Sequence, residues 1–227
     1  MPEEPVLEAF RLEARGLSQA VEGLSEHEWD LPTRCEPWSV RELLAHIRVA
    51  TAWLPGLLAA PAPARAEVSA VEYYRPDDRF SPQTNAVRIG LAQDQAAEHA
   101  NGAALAEDWA ATWQQVYGRC RNEPPDRVVR TRHGDAMLLS QFLITRVVEI
   151  AVHGLDLADA LERDPWLTPE SADVVTELLL GPGHVTTVRE LGWGRQEFLR
   201  KATGRRPLER AEVAQIERLG IRWLTLG

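Results

Sequence analysis

The sequence predicts an all-α protein carrying at most one small β-hairpin, and three observations lead there. Apolar residues recur at three- and four-residue intervals through its long segments. Ser25 with Glu28 and Ser39 with Glu42 make capping boxes of the kind that open helices. Period-two alternation is confined to one short stretch near Arg127.

Val6, Phe10, Ala14, Leu17, Val21 and Leu24 place a first helix from about Pro5 to about Leu24. The segment Trp29 to Trp38, with Pro32 and Pro37, reads as a loop. A second helix starts near Val40 behind its capping box and carries Leu43, Leu44, Ile47 and Leu54 on one face. From Pro55 to Pro82 the chain is rich in Pro, Ala and charge, which predicts a long irregular connection of the kind that often serves as a lid. Val87, Ile89, Leu91, Leu105, Trp109, Trp113 and Val116 continue as a third helix, with Asn101 and Gly102 as a candidate break. Arg127 to Arg132 and Ala136 to Leu138 flank a tight turn at His133, Gly134 and Asp135, a small hairpin before the fourth helix. The fourth helix spans about Leu139 to Leu161. Thr168 with Pro169 starts a further helix, Gly204 ends the next and Gly220 the last, so residues 163–227 are expected to pack as short helices.

At 227 residues the chain fits one large domain that needs no disulfide. Two cysteines, Cys35 and Cys120, and no basic-then-apolar leader point to a reducing, cytoplasmic setting. The longest apolar run, Leu54 to Ala60, is far short of a membrane span. A net charge of −9, with basic residues concentrated only between Arg200 and Arg210, argues against nucleic acid as a partner, and that stretch reads as a solvated helix end. Lys201 is the sole lysine and alanine is abundant, the codon bias of a GC-rich genome. Monomer and homodimer both fit these features.

Chemistry concentrates in the fourth helix. Between Phe142 and Ala158 the polar side chains are Thr145, Arg146, Glu149, His153 and Asp156, all within an arc of roughly 100°. A narrow solvent face with an Arg146–Glu149 ion pair is one reading. The apolar arc around it is wider than a surface helix needs, which favours a central helix with an inward polar stripe. Glu149 and His153 are spaced i,i+4, so both reach one ion. A third ligand must come from another helix, and His46, two turns into the second, is the leading candidate, although alone it also suits a hydrogen-bonded core position. Two histidines and a carboxylate leave a tetrahedral ion one open position, the catalytic pattern, and zinc is favoured over nickel, iron or manganese. His27, His99, His133 and His184 lack partners at ligand spacing and are expected to be exposed. Cys35 is open between a packed and a reactive thiol, with packing favoured, and Cys120 reads as helix-end packing.

Trp29, Pro32, Thr33, Cys35 and Trp38 leading into Leu43, Leu44, Ala45 and His46, followed by Arg146, Glu149, His153, Gly154, Asp156, Leu157 and Ala158, resemble the maleylpyruvate isomerase family of mycothiol-dependent enzymes, within the DinB-like superfamily of four-helix metalloproteins. The likeness spans about residues 5–162, and the two segments in this order are more specific than either alone. It implies a DinB-like four-helix bundle, placed here over residues 1–162, while the helical extension over 163–227 rests on the start and stop signals above. It also implies a divalent metal on His46, Glu149 and His153 and a low-molecular-weight thiol, mycothiol, activated on that metal. Two features depart from the family: Pro37 stands where a glycine is common, and short helices are expected where the isomerase has an α/β C-terminal domain.

The function expected is metal-dependent isomerisation of, or thiol transfer to, a small electrophile, with mycothiol as cosubstrate. Arg146 is a candidate to orient Glu149 or bind an anionic substrate, and Asp156 to accept the second ring proton of His153; ordinary helix ion pairs explain both equally well. The alternative from a different class is a regulatory protein that holds metal or ligand without turnover.

Overall fold

The computed structural model describes residues 5–75, 77–78 and 81–221. In chain order the helices are α1 (Pro5–Val21), α2 (Glu26–Trp29), α3 (Val40–Ala52), α4 (Leu54–Ala59), α5 (Ala70–Tyr73), α6 (Pro82–Ala97), α7 (Gly102–Cys120) and α8 (Leu139–Ala160), then α9 (Pro169–Leu180), α10 (His184–Leu191), α11 (Arg195–Ala202) and α12 (Arg210–Arg218). One antiparallel hairpin, β1 (Val128–Arg130) with β2 (Ala136–Leu138), precedes α8. The architecture is all-α as the periodicity predicts, a bundle in which α1 and α3 each pack against both α7 and α8.

Each bundle helix forms for a local reason. On the apolar face of α1, Phe10, Leu17 and Val21 are buried to within 1% of complete, and the helix stops at Val21, ahead of Gly23 at φ 73°. Ser39 opens α3: its hydroxyl accepts the Glu42 amide proton at 3.3 Å while the Glu42 carboxylate accepts its backbone N–H at 2.8 Å. Helix α8 is buried almost all round, as a central helix must be, with Phe142, Leu143, Val147, Ile150 and Leu155 in the core.

The expected third helix is two. Asn101 caps a new helix by accepting the Ala104 amide proton at 2.9 Å. Gly102 sits against the fully buried Trp29, whose ring a Cβ at 102 would meet at 2.1 Å. Helix α6 therefore turns back to pack on α3, and α7 takes the bundle position. The connection from Pro55 to Pro82 is also less irregular than expected, since it holds α4 and a capped α5. It is tied to the hairpin by the Glu67 and Val68 amides, which both donate to the Ala136 carbonyl at 2.8 and 3.1 Å. Residues 76, 79 and 80 of that connection lie outside the described residues.

No strand follows Leu138 among the described residues, and the helical reading of the C-terminal segment agrees with α9 to α12. Residues 222–227 lie outside that description. Helix α9 packs on α1 and α8, and Thr168 at its N-terminus donates its N–H and hydroxyl to the buried Glu13 carboxylate of α1, at 2.9 and 2.6 Å. Burial pushes the Glu13 carboxyl above the usual carboxylate range, against the lowering effect of those Thr168 bonds. Trp166 fills the space that Gly16 and Gly154 leave, 3.4 Å from where either glycine's Cβ would stand.

Candidate active site

Three elements bring the polar stripe of α8 to a point. The i,i+4 spacing sets Glu149 and His153 side by side, and α3 delivers His46 opposite them, so that Glu149 Oε2 lies 3.2 Å from His46 Nε2 and 3.6 Å from His153 Nε2. Donor atoms of the three residues all lie within 4.8 Å of one another. His46 is buried and stacks on Trp38, ring centroids 4.6 Å apart and planes 23° from parallel. Trp38 is held by the loop between α2 and α3, where its carbonyl accepts the Thr33 amide and hydroxyl protons at 3.0 and 2.7 Å.

Both flanking candidates support that cluster. Arg146 is 5% exposed and lies over the Phe142 ring; it donates to the Ala50 carbonyl on α3 at 2.6 Å and keeps one guanidinium nitrogen 3.9 Å from Glu149 Oε1. It ties α8 to α3 more than it pairs with Glu149, so it is not the simple helix-surface ion pair. Asp156 is fully buried and its Oδ2 stands 3.0 Å from His153 Nδ1. A proton on Nδ1 leaves the Nε2 lone pair directed at Glu149 and His46.

Electrostatics follow from this packing. Burial disfavours the charged His46 imidazole and lowers its pKa in spite of Glu149. For Glu149, burial works against the carboxylate, but the His46 hydrogen bond and the nearby His46, Arg146 and His153 charges hold its pKa well below the usual range. His153 goes the other way: burial opposes its charge, yet hydrogen bonds with Asp156 and Cys35 and the two carboxylates raise it to about 9. Asp156 stays ionised against burial because His153 and Arg205 hydrogen-bond to it.

Several residues that sequence reasoning set elsewhere come to this site. Cys35 packs against the core as expected, and it also reaches the site: its Sγ donates to Asp156 Oδ2 at 3.2 Å and lies 3.8 Å from His153 Nδ1. The basic Arg200 to Arg210 stretch is solvated only in part, at the exposed Arg206 and Arg210. Arg200 pairs with Asp159, Lys201 with Glu197 and Glu212, and the 6%-exposed Arg205 guanidinium with Asp156. His133, expected to be exposed, is half-buried beside Tyr73. His99 is also half-buried, bonded to Asp108 at 3.0 Å, and His184 is half-buried, whereas His27 is exposed. Cys35, His153 and Asp156 form a second cluster of possible ligands, but the guanidinium of Arg205 already occupies both Asp156 oxygens there.

A pocket of about 500 Å³ opens onto the His46, Glu149 and His153 side chains, walled by Tyr73 and Tyr74 from the long connection, Ile89 from α6, and Cys35 and Arg205. A narrower recess beside it reaches Trp53, Phe142, Arg132 and Arg146. Burial lowers the Arg132 pKa, and the neighbouring arginines 88 and 146 lower it further.

Fold and site together define a helical-bundle protein with two histidines and a glutamate gathered at one point. The chain belongs to the mycothiol maleylpyruvate isomerase N-terminal domain family, whose model matches residues 10–158. Two crystal structures resemble it: a histidine-to-alanine mutant of the mycothiol-dependent maleylpyruvate isomerase, at 19% identity and TM-score 0.50, and the unmutated enzyme, at 18% and 0.48. Each comparison covers 81% of this chain and 73% of the other. No curated protein matches. Among the described residues no helix is long and apolar enough to cross a membrane.

Proposed function

We propose that this protein is an enzyme that uses a divalent metal, zinc by preference, to activate mycothiol for isomerisation of, or transfer to, a small electrophile. One observation carries the reading: His46 and Glu149 meet at 3.2 Å, and His153 Nε2 stands 3.6 Å from the same Glu149 oxygen, on the wall of an open pocket. Ligands about 2.0–2.1 Å from a tetrahedral zinc stand roughly 3.3 Å from one another, so the donor set suits such an ion. When bound, the ion supplies Lewis acidity that makes a thiol in the open position nucleophilic at neutral pH.

The chain's own residues do the rest. Asp156 holds the Nδ1 proton of His153 and so keeps Nε2 turned to the site. Arg146, anchored on the Ala50 carbonyl, fixes the turn of α8 that presents Glu149. Trp38 stacks on His46 and sets the plane of its ring. Tyr73, Tyr74 and Ile89 give the pocket an apolar wall that limits water around the reacting groups. Residues 1–162 serve as the metal-binding bundle and 163–227 as an extension packed on it. A cytoplasmic setting keeps the cosubstrate thiol reduced.

Family membership favours mycothiol as the thiol, and the name of the similar enzymes favours isomerisation. The test is steady turnover of an electrophile panel with mycothiol, maleylpyruvate included, in metal-loaded protein. Turnover that needs both metal and thiol and disappears in His46→Ala supports the reading. Stoichiometric metal binding without turnover of any electrophile would instead favour a regulatory binding protein.

A further inference from the structure

Asp156 presents an unusual problem. It is a fully buried carboxylate on a helix that is apolar almost all round, and a lone buried charge costs several kcal/mol. Its histidine neighbour, His153, is shared with Glu149, 3.6 Å from the other ring nitrogen. The structure meets the problem from 49 residues away: Arg205 Nε donates to Asp156 Oδ1 at 2.8 Å and Arg205 Nη2 to Oδ2 at 2.7 Å, a two-pronged pairing that fixes the plane of the carboxylate.

The arginine is itself held. Helix α11 ends at Ala202, Gly204 turns the chain at φ 72°, and the third nitrogen of Arg205, Nη1, donates to the Thr203 carbonyl at 2.9 Å. From the other side Arg34 donates to the Arg205 and Gly204 carbonyls at 2.7 and 3.3 Å, so the loop before α3 clasps the turn. The Arg34 guanidinium also comes within 3.8 Å of Asp156 Oδ1, and Cys35 donates to Oδ2. Arg205 thus joins the C-terminal segment, the α2–α3 loop and α8 at one carboxylate.

We infer that Arg205 is a positioning residue of the site: by holding both oxygens of Asp156 it fixes the acceptor that orients His153, and through His153 it sets the geometry offered to the metal. The inference rests on the reading of His153 as a metal ligand. Its consequence is that the C-terminal segment completes the site from outside the bundle rather than merely covering it. Lysine cannot replace the arginine fully, because an ammonium is a point charge without the fork that fixes the carboxylate plane.

A structural role alone would be to pin the segment down, and Arg200 provides the control. Its side chain also ties α11 to α8, but its hydrogen bonds go to Asp159 rather than Asp156. Arg205→Ala, Arg205→Lys and Arg200→Ala are compared in the full chain at matched folded fraction. In metal-free protein, the Nδ1 proton of His153, held at 3.0 Å from Asp156 Oδ2, should give a downfield NMR resonance, to be assigned by its absence in His153→Asn. It should persist in Arg200→Ala, broaden or vanish in Arg205→Ala and be partly restored in Arg205→Lys. Zinc affinity by chelator competition should fall about 10- to 100-fold in Arg205→Ala and stay within about twofold in Arg200→Ala, the size of effect seen when a ligand's hydrogen-bond partner is removed.

Equal losses in the Arg200 and Arg205 variants, or an unchanged His153 resonance in Arg205→Ala, overturn the inference. If wild-type protein binds no zinc while the resonance still depends on Arg205, the positioning of His153 stands and the metal reading fails. The two failures are therefore distinct.

Discussion

His46 and Glu149 meet at 3.2 Å, Nε2 to Oε2, although 103 residues separate them. That contact joins α3 to α8, and an ion pair this far from water is costly to bury unless something else uses it.

Removing either partner should abolish tight metal binding. Purified without a histidine tag, wild-type protein is expected to carry about one metal ion per chain, and His46→Ala, Glu149→Ala or His153→Ala to retain less than about a tenth of it, since each removes a first ligand rather than a supporting group. Metal analysis on folded protein checks this, and undiminished content in the Glu149 and His153 variants would remove the site assignment.

Metal uptake should release a proton at neutral pH. His153 is raised to about 9 in the metal-free protein, whereas Glu149 is already ionised, so a cation must displace one proton from His153. Affinity is expected to climb about tenfold per pH unit up to about pH 9 and then level off. The sign for stability is opposite. The charged imidazole stabilises the metal-free fold fully below its unfolded pKa of about 6.5, and that contribution is lost as pH rises through about 9. Calorimetry in buffers of different ionisation enthalpy counts the proton directly.

The two thiols should differ sharply in reactivity. Burial pushes the Cys120 thiol up to about 12, so almost none of it is thiolate at neutral pH, whereas Cys35 lines the pocket. A colorimetric thiol titration of native protein is expected to count one accessible cysteine, and Cys35→Ser to bring the count to zero. A pocket filled by a thiol ligand should slow the reaction at Cys35.

Gly102→Ala should destabilise the fold without touching the site. The added methyl meets the Trp29 ring at 2.1 Å, and Trp29 is fully buried, so ring or helix must shift. A loss of about 1–3 kcal/mol is expected from overpacking of this kind, read as a lowered denaturation midpoint. Gly118→Ala, with open space around its Cβ, is the control.

Much of this was legible in the sequence because it depends on spacing within single elements. The i,i+4 relation of Glu149 and His153, the capping box of Ser39 and Glu42, and the apolar girdle of α8 are local properties, and the structure realises each. The split at Gly102 was visible only as a weak break, because what enforces it is the Trp29 ring, 73 residues away in sequence. Arg205 was misread for a similar reason. An isolated basic stretch looks solvated, and only the buried Asp156 reveals that one arginine must turn inward. A carboxylate on an otherwise apolar helix was the available signal that a distant cation was required; its identity depended on the Gly204 turn.

In the proposed function, His46, Glu149 and His153 hold a metal with a position open to a thiol. Cobalt-substituted protein titrated with mycothiol tests it most directly. The thiol is expected to add a sulfur-to-metal charge-transfer band that saturates at one thiol per metal and is absent in Glu149→Ala. A cobalt spectrum that no low-molecular-weight thiol perturbs would contradict thiol activation at this site.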